Sequence, residues 1–390
     1  ENNATLLALK AIGDPHAVLP KTPLKDFSPR FGFAFDLSGD GKRVLRGGYG
    51  LYFDEFNING GNVSDIFSQD RRPLNVLATR VNTAIGVGQL ATYRMGIDPL
   101  PAQPTESNTL PLGATGQILD EHFTDPRSHV AHIGYADELA RGTSLSVDYT
   151  HGQGSHEFRT LNINPIVNGT RLLAPSFARV FGNPNYLNAV NIFWAGNQSQ
   201  YNAMTVKLER RVARATLQAH YTLARAMAYG GVSMARGGAP APMIYNQPLS
   251  ENEWGPTGSD ERHRVVAIGV FDLKWGIQLS PIVQLASARP FNLTAGSDLN
   301  ADGTNNDRYI DPTSGKQVSY NAGRGDATKV VDLRTTKFFN LDGSGTRRVG
   351  VFVEAFNLFN TANFGGSFSG NSRSSNFRQP TDFVPGIGYA

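Results

Sequence analysis

Five tight hairpins joined by four much longer links constrain this chain more than any other feature of its sequence. The hairpins span 29–53, 130–151, 201–225, 264–287 and 329–359. Their turns are Ser38-Gly39-Asp40-Gly41-Lys42, Ala140-Arg141-Gly142, Val212-Ala213-Arg214, Lys274-Trp275-Gly276 and Asp342-Gly343-Ser344-Gly345-Thr346, mostly the Gly and Asp chemistry that reverses antiparallel strands. The links cover about 54–129, 152–200, 226–263 and 288–328. Structureless connections of that length are uncommon in compact domains. A β-barrel threaded through a bacterial outer membrane, by contrast, has one tight rim and one loop-rich rim.

Within the hairpins the apolar residues recur every second position. Phe31, Phe33, Phe35 and Leu37 alternate with Arg30, Gly32, Ala34 and Asp36, and Leu145, Val147 and Tyr149 alternate with Ser144, Ser146 and Asp148. The pattern continues in Met204, Val206 and Leu208, in Leu217, Ala219, Tyr221 and Leu223, and in Val331 and Leu333. Period two means strands with one apolar face. Alternation alone fits both a soluble sandwich, apolar face inward, and a membrane barrel, apolar face outward. Three features favour the barrel: strands of about ten residues, a polar face shared by small and charged residues, and the long–short rhythm of connections. The fold expected is therefore all-β, an antiparallel transmembrane β-barrel with about ten or more strands present. Residues 1–390 form part of one barrel domain, and the four links are its outer loops.

Composition closes other routes. The longest apolar run, 265–271, is far short of the roughly 20 residues a membrane-spanning helix needs. With 42 glycines, 23 phenylalanines and 13 tyrosines against 5 methionines, β structure is favoured over helix. No cysteine is present, which removes disulfides, thiolate metal sites and a Cys nucleophile. A net charge of +3 without a long basic run argues against nucleic acid as a partner. No Gly-x-Ser-x-Gly or His-Glu-x-x-His occurs, so no enzyme is expected. The Ser155, His156 and Glu157 neighbours sit on one stretch of chain, whereas a catalytic relay converges from separate elements. The start at Glu1-Asn2-Asn3 lacks the basic and apolar regions of a signal peptide and reads as a processed end or an internal cut.

Three places sit awkwardly. Lys337 falls on the apolar face, where only reach toward the nearby turn would relieve it. Pro281 removes a ladder donor in mid-strand, so a bulge or an unpaired edge is expected there. Phe352 and Phe356 share a face with Glu354, which suggests a bulge or a plug-contacting patch. Arg46, Asp148, Lys207, Glu209, Asp332, Arg334 and Glu354 are expected to face the lumen as solvated cross-strand pairs.

The run Phe27-Ser28-Pro29-Arg30-Phe31-Gly32-Phe33-Ala34-Phe35-Asp36, followed by Gly39-Asp40-Gly41-Lys42 and Val44-Leu45-Arg46-Gly47-Gly48-Tyr49-Gly50, resembles the barrel of Oar-like TonB-dependent receptors. Lys207-Leu208-Glu209-Arg210-Arg211, Arg262-His263-Arg264-Val265-Val266, Ala288-Arg289-Pro290-Phe291 and Glu354-Ala355-Phe356-Asn357-Leu358-Phe359-Asn360 resemble the same family in the same order. The resemblance implies a barrel in the outer membrane of a Gram-negative-type bacterium, in contact with outer-membrane lipid. It also implies an N-terminal plug and the TonB complex as partners in importing an unknown extracellular ligand. Neither a plug nor a TonB box nor an aromatic-ended last strand is read within these residues; the reading expects the C-terminal part of a longer receptor with plug and last strand missing. The rival reading is an adhesion or surface-structural protein without transport.

Two sets of side chains are candidates for binding. Trp194, Tyr229, Tyr245 and Trp254 lie in the links among Asn, Gly and Pro, a mixture suited to a sugar, peptide or chelate; loop packing or an aromatic girdle is the plainer account. Asp298, Asn300, Asp302, Thr304 and Asp307, with Gly303 at the sixth position, fit half of a calcium loop. Tyr309 stands where the bidentate Glu belongs, so an Asx-rich turn explains the run equally. No other cofactor is required.

Overall fold

The computed structural model describes residues 4–19, 21, 26–54, 113–231, 240–342 and 346–384. Ten strands follow one another in chain order across a single sheet. They are β1 (Arg30–Asp36), β2 (Arg43–Phe53), β3 (Arg127–Ala140), β4 (Thr143–Asn162), β5 (Leu187–Val212), β6 (Ala215–Tyr229), β7 (His263–Asp272), β8 (Ile277–Ala286), β9 (Thr328–Asn340) and β10 (Arg348–Ala355). Every consecutive pair is antiparallel. All five expected hairpins are present, and β1 and β10 are not paired to each other, so the sheet is open.

Register explains how the period-two code becomes a wall. Starting at Phe35 and stepping from partner to partner, one meets Leu45, Tyr135, Val147, Val206, Tyr221, Val265 and Leu285, and finally Lys329. The adjacent row reads Ala34, Arg46, Gly134, Asp148, Thr205, Thr222, Arg264, Ala286 and Thr328. Directly opposed residues share a face, so these rows give one mainly apolar face and one mainly polar or small. Phe35 lies beside a short turn while Lys329 lies beside a long link. A single row thus climbs from one rim to the other, the stagger of tilted barrel strands. The apolar face stays uncovered: Phe35 of this row is 61 % exposed and Val351 on the same face 58 %, and among the described residues neither a second sheet nor a helix layer lies over it. Among the described residues no helix is long and apolar enough to cross a membrane; the strands do the spanning.

The short turns are built by local chemistry. Asp36 accepts hydrogen bonds from the Ser38, Gly39 and Gly41 amides (3.1, 2.9 and 2.7 Å), and both glycines adopt φ near +75°, which a side chain would strain. Lys337 is relieved by reach, because its ammonium donates to the Trp275 carbonyl in the β7–β8 turn. Pro281 produces no bulge, but the β7–β8 ladder is interrupted beside it, with no pairing between Ile268–Ile282 and Phe271–Leu279. The β7–β8 register is the same on both sides of it, and Pro281 stays paired with Leu333 of β9. Phe352 and Glu354 share the inner face without a bulge, since Arg334 pairs with Glu354 at 3.0 Å and covers the Phe352 ring at 4.1 Å.

The expected loop boundaries need correction on the long-link side. The link 152–200 is not wholly loop: β4 runs on to Asn162 and β5 begins at Leu187. The continuation was hidden because bulges between Ser155 and Glu157 and between Glu157 and Arg159 break the alternation. Strand Ala114–Leu119 in the 54–129 link pairs in parallel with the start of β5; residues 55–112 lie outside the described residues. In 226–263, β6 extends to Tyr229 and pairs with Trp254–Pro256. In 288–328, Pro290–Phe291 pairs with Gly323–Arg324.

A closed hydrophobic core sits on this rim. Helix α1 (Ala4–Ile12) buries Thr5, Ala8, Leu9 and Ile12, the i, i+3, i+4, i+7 stripe of an amphipathic helix. They meet Ile118, Phe177 of α2 (Ala174–Phe181), and Leu187, Val190 and Ile192 of β5. Asn164, fully buried, donates to the Leu187 and Asn188 carbonyls and accepts from the Leu173 amide, which fixes the start of α2 against β5.

Candidate ligand site at the long-loop rim

A buried ion triad fastens the outer segments together. Glu253 accepts from Arg159 of β4 and from Arg308 of the 288–328 link (3.0 Å), and its other oxygen accepts from the Met243 amide (2.9 Å). Arg159 also donates to the carbonyls of Pro240 and Pro248, and Arg308 to that of Asn306. Ions so deeply buried persist only when paired; Arg308 Nε is left without a partner among the described residues. Arg308 also lies 4.6 Å from the Tyr320 ring, and burial pushes the Tyr320 hydroxyl pKa up. A second buried carboxylate, Asp260, accepts from the Ala226 amide (2.8 Å) and Arg324 (3.1 Å). Two links, 226–263 and 288–328, are therefore locked to the ends of β4 and β6.

Between this lock and the α1–α2 core lies an open cleft of about 450 Å³, within the size range of small-molecule sites. Its walls bring together Trp194 of β5 and Tyr245, with Leu161, Ile163 and Ile192 beneath them and Asp14, His16, Asp120, Glu121, His122 and Asn246 around them. His16 contacts Asp14 at 2.9 Å, while His122 stands 3.5 Å from Glu121 and 3.8 Å from Asp120. Trp194 and Tyr245, two of the aromatic candidates, share this site. Tyr229 and Trp254 do not: they are paired across strands with rings 4.7 Å apart, in the packing role that loop aromatics ordinarily have. Sequence reasoning did not find the histidines or carboxylates, which come from distant links and carry no shared spacing.

The 298–307 run closes on itself. Asp298 and Asn300 both accept from the Asp302 amide (3.1 and 3.0 Å), Asp298 also from Gly303, Asp302 from Thr304 (2.8 Å), and Asp307 from Leu299 (2.6 Å). Burial, joined by the Asp298 charge, pushes the Asp302 carboxyl pKa up. Among the described residues no three His, Cys, Asp or Glu side chains gather as a metal site.

The inner face carries two further grooves. One, of about 410 Å³, is lined by Arg46, Asp148, Lys207, Glu209 and His220; Arg46 holds Asp148 by two nitrogens at 2.8–3.1 Å. The other, of about 480 Å³, is lined by Ile268, Ile282, Arg334, Phe338, Phe352 and Glu354.

An open meander with a lipid-facing row, a polar inner face and a folded outer rim defines an outer-membrane β-barrel. The chain belongs to the outer membrane beta barrel domain family, whose sequence pattern matches residues 2–320, and it is an outer-membrane protein. Among solved structures it is similar to the outer membrane transporter YddB from Escherichia coli (12 % identity, TM-score 0.51, covering 86 % of this chain and 37 % of that one). It also matches the FrpB iron transporter from Neisseria meningitidis (10 %, 0.47, 93 % and 37 %) and the ferric-catecholate import receptor Fiu from Escherichia coli (10 %, 0.45, 92 % and 33 %). The chain spans about a third of the length of these structures. No curated protein matches it by sequence.

Proposed function

We propose that residues 1–390 belong to a single barrel domain of an Oar-like, TonB-dependent outer-membrane receptor. It captures a ligand at the long-loop rim and, with an N-terminal plug and the TonB complex, imports it. The observation that carries this reading is the ordered rim itself: a cleft with two aromatic rings and convergent polar groups, held rigid by the Glu253 triad. The inner face supports it, since paired charges and the Phe338–Phe352 groove offer a plug both polar and apolar contact. No catalytic role is assigned. The test is titration of the full-length receptor with the periplasmic domain of TonB, with the upstream gene sequence read for a TonB box. Binding supports transport. Absence of both decides for adhesion, which the exposed Leu172, Val180, Ile244 and Leu249 around the rim favour.

For the 298–307 run we propose a self-closed Asx-rich turn rather than calcium, because its carboxylates already accept from its own amides.

A further inference from the structure

We infer that the cleft between Trp194 and Tyr245 takes a small organic cation, a molecule carrying an ammonium group on an apolar body. The inference rests on the receptor reading of this rim and adds the charge of its ligand. Asp14, Asp120 and Glu121 line the cleft with two histidines, and among the described residues no lysine or arginine does. Three carboxyl groups thus face the cleft from the described walls, with two imidazoles as the basic groups beside them. Such a site repels carboxylates and other anions as strongly as it attracts cations.

Asp120 is the most telling of the three. It is only 7 % exposed, and a buried carboxylate normally has its oxygens satisfied. One of them, Oδ1, accepts from the His122 amide at 3.2 Å. Arg159 is engaged by Glu253 and two carbonyls, and Arg171 by the Asn164 carbonyl at 3.0 Å, so neither is free to neutralise the cleft. Trp194 and Tyr245, both half-buried, provide π faces that favour a cation, while Leu161, Ile163 and Ile192 accept an apolar body. His16 and His122 stand against the carboxylates as weaker partners that an ammonium displaces.

The experiment uses the full-length receptor and three probes of one shape and different charge: benzylamine, benzyl alcohol and benzoate, measured by titration calorimetry at pH 8. Benzylamine should bind about tenfold more tightly than benzyl alcohol, and benzoate should not bind. Trp194→Leu should weaken benzylamine by about tenfold. Glu121→Gln, at a half-exposed position, should weaken benzylamine while leaving benzyl alcohol unchanged. Equal affinity for the three probes, a preference for benzoate, or no binding of benzylamine overturns the inference. A receptor that binds TonB yet prefers benzoate would sink the cation and leave the transport reading standing.

Discussion

The lower halves of β4 and β5 and their upper halves are the same strands in two different solvents. Below, Val147 and Val206 stand opposite each other on an uncovered apolar row, with Asp148 and Thr205 behind them. Above, Leu187 and Val190 of β5 are completely buried against α1 and α2. The wall hides its apolar residues in lipid and keeps charges in water, whereas the rim does what a soluble domain does, with a closed core and buried ions paired. What this teaches is that the chain holds two hydrophobic surfaces of opposite meaning, and that the crossing falls near Tyr201 of β5, where the buried stretch gives way to exposed Tyr201 and Met204.

The comparison predicts separable damage. Phe177→Ala empties the rim core at a fully buried ring and should cost about 3–5 kcal/mol of local stability. Limited proteolysis should then cut the rim faster while the heat-dependent gel shift of the folded barrel stays normal; loss of both together would mean that rim and wall fold as one unit. Val206→Arg puts a charge in the middle of the lipid row and should cost about 2–4 kcal/mol for insertion into vesicles, with little change at the rim. A neutral result would mean that row does not face lipid.

Asp302→Asn tests the rim through pH. The raised pKa means the folded protein holds this proton more tightly than the unfolded chain. Its favourable contribution is therefore full below the ordinary carboxylate range and lost as pH rises through the raised value. The variant should be more stable than the native protein near neutrality, and the difference should vanish toward acid. A calcium-dependent rise in native stability that the variant lacks would instead restore calcium to this loop. The smallest effect is expected at the inner face, where Arg46→Ala breaks a solvated pair with Asp148 and should change stability by about 0–1 kcal/mol. A larger loss in the full-length protein, measured by denaturant unfolding, would place a partner against that face.

The wall was legible because its code is local. In 29–53 and 201–225 every second residue announces its face, and Gly39 and Gly41 announce the turn. The rim was not. His156 at φ +56° and the bulges beside Glu157 interrupt the alternation that would have extended β4, and α1 carries its stripe in a stretch too short to stand out. Of the aromatic candidates, position in the links distinguished none; only packing separates Trp194 and Tyr245, which open onto the cleft, from Tyr229 and Trp254, which stack on each other.

By itself the amino-acid order determined the antiparallel meander, its register code and the solvent each wall face requires, because period two and turn chemistry act between near neighbours. Tertiary structure alone decided the rim. Arg159, Glu253 and Arg308 meet across three links, and a buried charge finds its partner by where folding places it, a separation in space that no spacing along the chain encodes.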